Sequence, residues 1–153
     1  SLNRYIAVTH DREGMFATLF IGILDPQTGV FDYVNGGHEP PVILGTDGLK
    51  ALLPPTGPAV GVDPDAVFTT ARLEIEPGQV LIAYTDGIVD ARNKDGECFS
   101  RERLISLLTA SDRSVAGLIR GVHSALESFV QGAEPYDDIT MMVLRRAAPR
   151  RPL

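Results

Sequence analysis

The chain has 153 residues, 44% of them hydrophobic and 22% charged, with a formal net charge of −6 at pH 7. That length suffices for one domain with a substantial core, and the balance is that of an ordinary soluble globule. The acidic charge argues against a nucleic-acid binder, which carries a basic stripe, and no stretch reaches the ~20 apolar residues that span a bilayer.

The single cysteine, Cys98, excludes an internal disulfide and fits a reducing, cytoplasmic setting. It lies in a polar turn region without an evident activating base, so a catalytic thiol is not expected. Ser1-Leu-Asn-Arg-Tyr lacks the basic-then-apolar order of a signal peptide. It also lacks an initiating Met and reads as a helix already under way, which points to a piece of a longer polypeptide.

Residues 2–9 read as the end of a helix, and His10-Asp-Arg-Glu-Gly as a polar connection. Phe16-Ala-Thr-Leu-Phe-Ile-Gly-Ile-Leu is a continuous apolar run, which predicts a strand covered on both faces. Asp25-Pro-Gln-Thr-Gly29 is a turn, and the alternating Val30-Phe-Asp-Tyr-Val completes a hairpin. Pro41-Val-Ile-Leu and Leu49-Lys-Ala-Leu-Leu flank Gly45-Thr-Asp-Gly48 in a second hairpin, and residues 54–61 form a loop. Val67 to Ile75 alternates again, and Glu76-Pro-Gly-Gln turns the chain into the run Val80-Leu-Ile-Ala-Tyr-Thr.

Then the period changes. Ser100 caps a helix over Glu102 to Leu108, and a longer helix follows Ser114. In the latter, Val115, Leu118, Ile119, Val122, Leu126, Phe129 and Val130 fall on one face, and Gly132 is its expected stop. Ile139 to Leu144 is the last strand. The Arg145-Arg146 and Arg150-Arg151 cluster reads as a solvated, Pro-interrupted tail rather than an anion site. Hairpin strands, two helices and a closing strand describe an α+β layered domain with sheet and helices segregated. The domain is placed at residues 1–147 and the Pro/Arg tail at 148–153.

Acidic residues mark two strand ends. Asp86-Gly87 ends the run from Val80, and Asp137-Asp138 opens the run from Ile139. If the two strands are antiparallel neighbours, the carboxylates converge at one edge of a sheet. Converging carboxylates repel unless a cation or proton lies between them, and oxygen-only ligands suit Mg²⁺ or Mn²⁺. Asp86 is the preferred ligand, because a charge leaving a buried run needs a partner or water. Gly87 lets the backbone turn tightly or lie close to an ion. Each dipeptide alone is ordinary turn chemistry; together they favour the metal reading. Asp90 and Arg92 read as capping and solvating the segment.

Asn35-Gly-Gly-His38-Glu-Pro-Pro41 joins two strands. The favoured reading is a glycine turn, with Asn35 in an unusual backbone angle and His38 bonded to nearby backbone. The sharper one makes His38 a catalytic acid or substrate contact. His10 and His123 are weaker candidates, and the three histidines lack zinc-site spacing. No Gly-rich phosphate loop or Gly-x-Ser-x-Gly elbow is present.

At these motifs the chain resembles the PPM-type metal-dependent serine/threonine phosphatases, most of all the bacterial SpoIIE/RsbU branch. The matching pieces, in order, are Met15 to Asp25, Asn35 to Pro41, Gly57-Pro-Ala-Val-Gly61, Tyr84-Thr-Asp-Gly-Ile-Val-Asp-Ala-Arg-Asn93 and Asp137-Asp-Ile-Thr140. The resemblance implies an α-β-β-α sandwich of two mainly antiparallel sheets flanked by helices. It implies a two-metal centre of Mn²⁺ or Mg²⁺ whose activated water attacks a phosphoserine or phosphothreonine phosphorus. By position, Asp86 and Asp137 match metal ligands, and Asp138 is the second choice. The substrate typical of this branch is a phosphorylated STAS-type anti-sigma-factor antagonist, and a sensory or receiver domain typically lies upstream.

Departures from the pattern matter. The family's opening Asp-Gly segment, which supplies an aspartate bridging both metals, does not occur in this sequence, and Asp47-Gly48 is no substitute because it lies in a hairpin turn. Asn35-Gly-Gly-His carries Gly where relatives often have Ala, and Asp90 stands where Glu is common. The chain alone is therefore expected to bind metal weakly and show little activity. Two alternatives stand beside the phosphatase: a non-catalytic phosphatase-like module that binds a regulatory partner, and a metal phosphohydrolase acting on small molecules.

Overall fold

The turn at Asp25–Gly29 is closed by its own side chains. The Asp25 carboxylate accepts from the Gln27 amide at 2.8 Å and from the Thr28 hydroxyl at 2.8 Å, and Gly29 takes a positive φ of 83°. This fixes the hairpin of β1 (Leu19–Leu24) and β2 (Val30–Gly36), paired antiparallel from Leu19↔Gly36 to Leu24↔Phe31. The computed structural model describes residues 2–9, 15–132 and 137–147. His10 and the 148–153 tail lie outside the described residues.

The chain divides into two units, Ser1–Pro40 with Leu52–Glu76, and Pro41–Ala51 with Pro77–Leu153. The first holds α1 (Leu2–Thr9) and a three-stranded sheet in the order β1-β2-β5, where β5 is Ala71–Glu74. Phe31, Tyr33, Val60 and Ile75 are buried in its core, and the ring of Phe20 lies 5.7 Å from that of Tyr33. Buried Asn3 ties α1 to the following loop: its amide donates to the Asp63 carbonyl and its oxygen accepts from the Gly61 amide.

The apolar run at Phe16 does not behave as expected. Ile21 and Ile23 are 53% and 73% exposed, so β1 is covered on one face only. Phe20 points to the aromatic core, while its neighbours point to the opposite face, as strand alternation requires. The alternation from Val67 also overpredicts: only Ala71–Glu74 pairs, because Thr69 bonds by amide and hydroxyl to the Thr56 carbonyl of the loop.

The second unit carries a four-stranded antiparallel sheet in the order β4-β3-β6-β7, made of Gly48–Leu52, Val42–Gly45, Val80–Tyr84 and Met141–Arg145. Here the strands buried on both faces are β3 and β6: Val42, Ile43, Leu44, Val80, Leu81 and Ile82 are all within 2% of complete burial. After β6 comes one turn of helix, α2 (Asp86–Val89), where the sequence suggested only a turn. Then follow α3 (Arg101–Ala110) and α4 (Val115–Val130), each capped as its serine predicts: Ser100 accepts from the Arg103 amide and Ser114 from the Gly117 amide.

Leu118, Val122 and Leu126 bury the apolar stripe of α4, each worth about 1.5–3 kcal/mol of transfer from water. Ile119, assigned to the same stripe, is 43% exposed. The left-handed stop of α4 begins at Gln131, with φ 47°, and continues through the expected Gly132, with φ 79°. The architecture is α+β, two antiparallel sheets with helices. Among the described residues no helix is long and apolar enough to cross a membrane.

Candidate metal-binding edge

Strands β6 and β7 are antiparallel neighbours, with Tyr84 opposite Met141 and Val80 opposite Arg145. The end of β6 therefore meets the beginning of β7. Thr85 fastens the junction: its amide donates to the Thr140 carbonyl, its hydroxyl accepts from the Thr140 amide, and the same hydroxyl donates to the Asp138 carbonyl, each at 3.0 Å. The next two residues are Asp86 and Gly87. Sequence reasoning passed over Thr85; the available signal was a hydroxyl residue at the end of each strand, at 85 and at 140.

Gly87 is buried against the other dipeptide. A Cβ there would run into the backbone carbonyl of Asp138. The requirement for glycine is thus one of close backbone approach. Asp86, Asp137 and Asp138 are exposed, and Asp137 accepts from the Asp138 amide at 2.7 Å. The structure thus brings together Asp86, Gly87, Asp137 and Asp138, all in the second unit.

Carboxylates and close-lying carbonyls are the donors a hard cation takes. Their number falls short of a complete cage: among the described residues no three His, Cys, Asp or Glu side chains form a group able to hold a metal ion. In type the residues fit Mg²⁺ or Mn²⁺, as part of a ligand set.

Asp90 closes α2, its amide donating to the Asp86 carbonyl at 2.8 Å, and Arg92 pairs with Cys98 through a β-bridge. Cys98 is an exposed free thiol. Asp47 lies in the turn between β3 and β4. His123 is exposed on α4 and lies 3.3 Å from Glu127, one helical turn on.

His38 belongs to the first unit. Its ring Nδ1 lies 2.8 Å from the Glu39 carbonyl, its amide donates to Asn35 Oδ1 at 2.8 Å, and its ring packs 6.2 Å from that of Phe20. These contacts match the backbone-bonded reading of His38. Fully buried Asn35 organises the segment: its side-chain amide donates to the Leu53 carbonyl, and its carbonyl accepts from the Thr56 and Gly57 amides. The unusual backbone angle expected at Asn35 is found at Gly37, with φ 70°, because Asn35 still lies within β2.

The model of the family described as stage II sporulation protein E (SpoIIE) matches residues 1–147. Protein IcfG of Synechocystis sp. is 44% identical over 144 residues, which cover 94% of this chain and 23% of IcfG. Among solved structures, the RsbU and RsbW domains of Rv1364c from Mycobacterium tuberculosis match with a TM-score of 0.69 at 27% identity, over 89% of this chain and 38% of that one. The phosphatase domain of the Bacillus subtilis cell fate determinant SpoIIE, presoaked with Mn, matches with a TM-score of 0.69 at 17% identity, over 88% of this chain and 58% of that one. The chain thus spans about a quarter of the length of IcfG. The two antiparallel sheets and their helices are those of the PP2C-type phosphatase fold, and by the match over residues 1–147 the chain belongs to the SpoIIE family.

Proposed function

We propose that this chain is part of a metal-dependent protein serine/threonine phosphatase, with residues 1–147 as its phosphatase domain and 148–153 as a tail. The observation that carries the reading is the meeting of Asp86-Gly87 with Asp137-Asp138 at the paired ends of β6 and β7, in a chain of the SpoIIE family. Asp86 and Asp137 are the side chains that would hold Mn²⁺ or Mg²⁺, with Asp138 the second choice. Gly87 serves by keeping the backbone close and bringing no side chain of its own. A divalent cation held there would supply positive charge to phosphoryl oxygens and would lower the pKa of a bound water.

The protein's own part is positional. Thr85 holds the two dipeptides in register, and their exposed carboxylates leave room for a phosphorylated residue carried on another protein. The substrate we propose is a phosphorylated STAS-type anti-sigma-factor antagonist in the cytoplasm, with a sensory or receiver domain upstream in the same polypeptide. Likeness to an RsbU domain supports that choice.

A second reading is a phosphatase-like module that binds a regulatory partner without turnover. The short ligand set among the described residues favours it. Turnover by the full-length protein with Mn²⁺ separates the two. Phosphate release from phosphoserine and phosphothreonine peptides, with nucleotides poor substrates, is the expected result. Asp86→Asn should abolish release while leaving the metal-free melting temperature equal or higher, because one of two repelling carboxylates is gone. Unchanged turnover in that variant would remove Asp86 from the ligand set.

A further inference from the structure

In the second unit a cavity of about 470 Å³ adjoins the acidic edge, sharing Gly87 and Asp137 with it. Its volume is that of a ligand pocket. Val122 and Leu126 of α4 and Met141 of β7 give it apolar walls. Ile119 and Ile139, both lining it, are 43% and 52% exposed. Large aliphatic side chains left in water beside a concave apolar surface mark a binding site when polar groups rim them. The His123–Glu127 pair supplies such a rim.

We infer that this cavity receives an apolar side chain of the phosphoprotein substrate, close in sequence to the phosphorylated residue. The inference rests on the phosphatase reading of the adjoining edge. The cavity and the acidic edge are continuous. Gly87 and Asp137 belong to both features, and exposed Ile139 lies two residues beyond Asp137 along the chain. A substrate segment whose phosphate lies at Asp86 and Asp137 carries its next residues across Ile139, at ~3.3 Å per extended residue. One buried apolar anchor inside a polar rim is the usual layout of a protein–protein hot spot. A free apolar small molecule would have no need of the acidic edge, which is why the protein segment is preferred.

The test uses the full-length protein with Mn²⁺ and two phosphoserine peptides, identical except for Leu or Gln within three residues of the phosphoserine. Binding is read by fluorescence anisotropy and hydrolysis by phosphate release. The Leu peptide should bind about tenfold more tightly, and Ile119→Glu should reduce that ratio to about twofold. Should Ile119→Glu bind neither peptide, Ile119→Ala carries the test, with the ratio expected to fall to about threefold. Equal affinity of the wild type for the two peptides, or a ratio unmoved by both variants, overturns the inference even if both peptides are hydrolysed. A Leu preference that depends on Ile119, with no hydrolysis of either peptide, instead keeps the docking site and removes the phosphatase reading.

Discussion

Asp86 and Asp137 are unremarkable as single residues, since aspartates at strand ends are common turn formers. What distinguishes them is the glycine that follows Asp86. Gly87 lies so close to Asp138 that a methyl group would meet its carbonyl oxygen. That contact is backbone to backbone, and neither side can swing away as a side-chain end would. Gly87→Ala should therefore separate the two dipeptides, lower the melting temperature and cut turnover at least tenfold. A melt and a phosphate-release assay on the same preparation check both effects. An alanine variant with wild-type melting and turnover would mean that the close approach has no bearing on the site. Thr85 belongs to the same reasoning, since one hydroxyl serves both the Thr140 amide and the Asp138 carbonyl.

Among the elements, α4 shows how local chemistry and packing combine. Ser114 accepts from the Gly117 amide at 3.0 Å and donates to Asp112 at 2.6 Å. The Ser114 hydroxyl, followed by its amide, holds the Asp112 carboxyl below the usual carboxylate range. A carboxyl lowered in the folded state adds stability above its unfolded pKa of about 4 and loses it as pH falls through the folded value. Ser114→Ala should cost about 1 kcal/mol, or ~2–4 °C of melting temperature, at neutral pH. The loss should shrink at acid pH, below about 4, where Asp112 takes up a proton and its bond to Ser114 weakens. A pH series of thermal melts measures this, and a loss that does not vary with pH would detach Asp112 from the cap. Legibility also differs between elements. Helix caps and hairpin turns were readable because a few adjacent residues decide them. Burial of β1 was not readable, because exposure of Ile21 and Ile23 depends on what other elements lay over that face. The shortening of β5 likewise came from a distant carbonyl, that of Thr56.

For the molecule as a whole, the ligand count of the acidic edge decides what these 153 residues can do alone. Three carboxylates gather at the β6–β7 edge, yet among the described residues no group of three metal-ligating side chains is close enough to hold an ion. Affinity for a hard cation depends on ligand number and charge. The 153-residue polypeptide alone should therefore bind Mn²⁺ weakly, and should release little phosphate from a phosphopeptide. Calorimetric titration with Mn²⁺, alongside the turnover assay, gives the comparison with the full-length protein. Full turnover by residues 1–153 would show that the edge needs no further ligand.

From the sequence alone came the segregated α+β order, the capped helices, the two acidic dipeptides and the kinship that five ordered motifs carry. These are properties of neighbouring residues, fixed by turn chemistry, periodicity and spacing. The pairing of β6 with β7 was an assumption at that level, and only the tertiary structure joined Asp86 to Asp137, because strand neighbours are chosen by packing across many intervening residues. Tertiary structure also decided that His38 is bonded to its own backbone surroundings, that β3 and β6 rather than β1 are buried on both faces, and that an apolar cavity adjoins the acidic edge. Each depends on which surfaces come together, and that is a property of the folded chain.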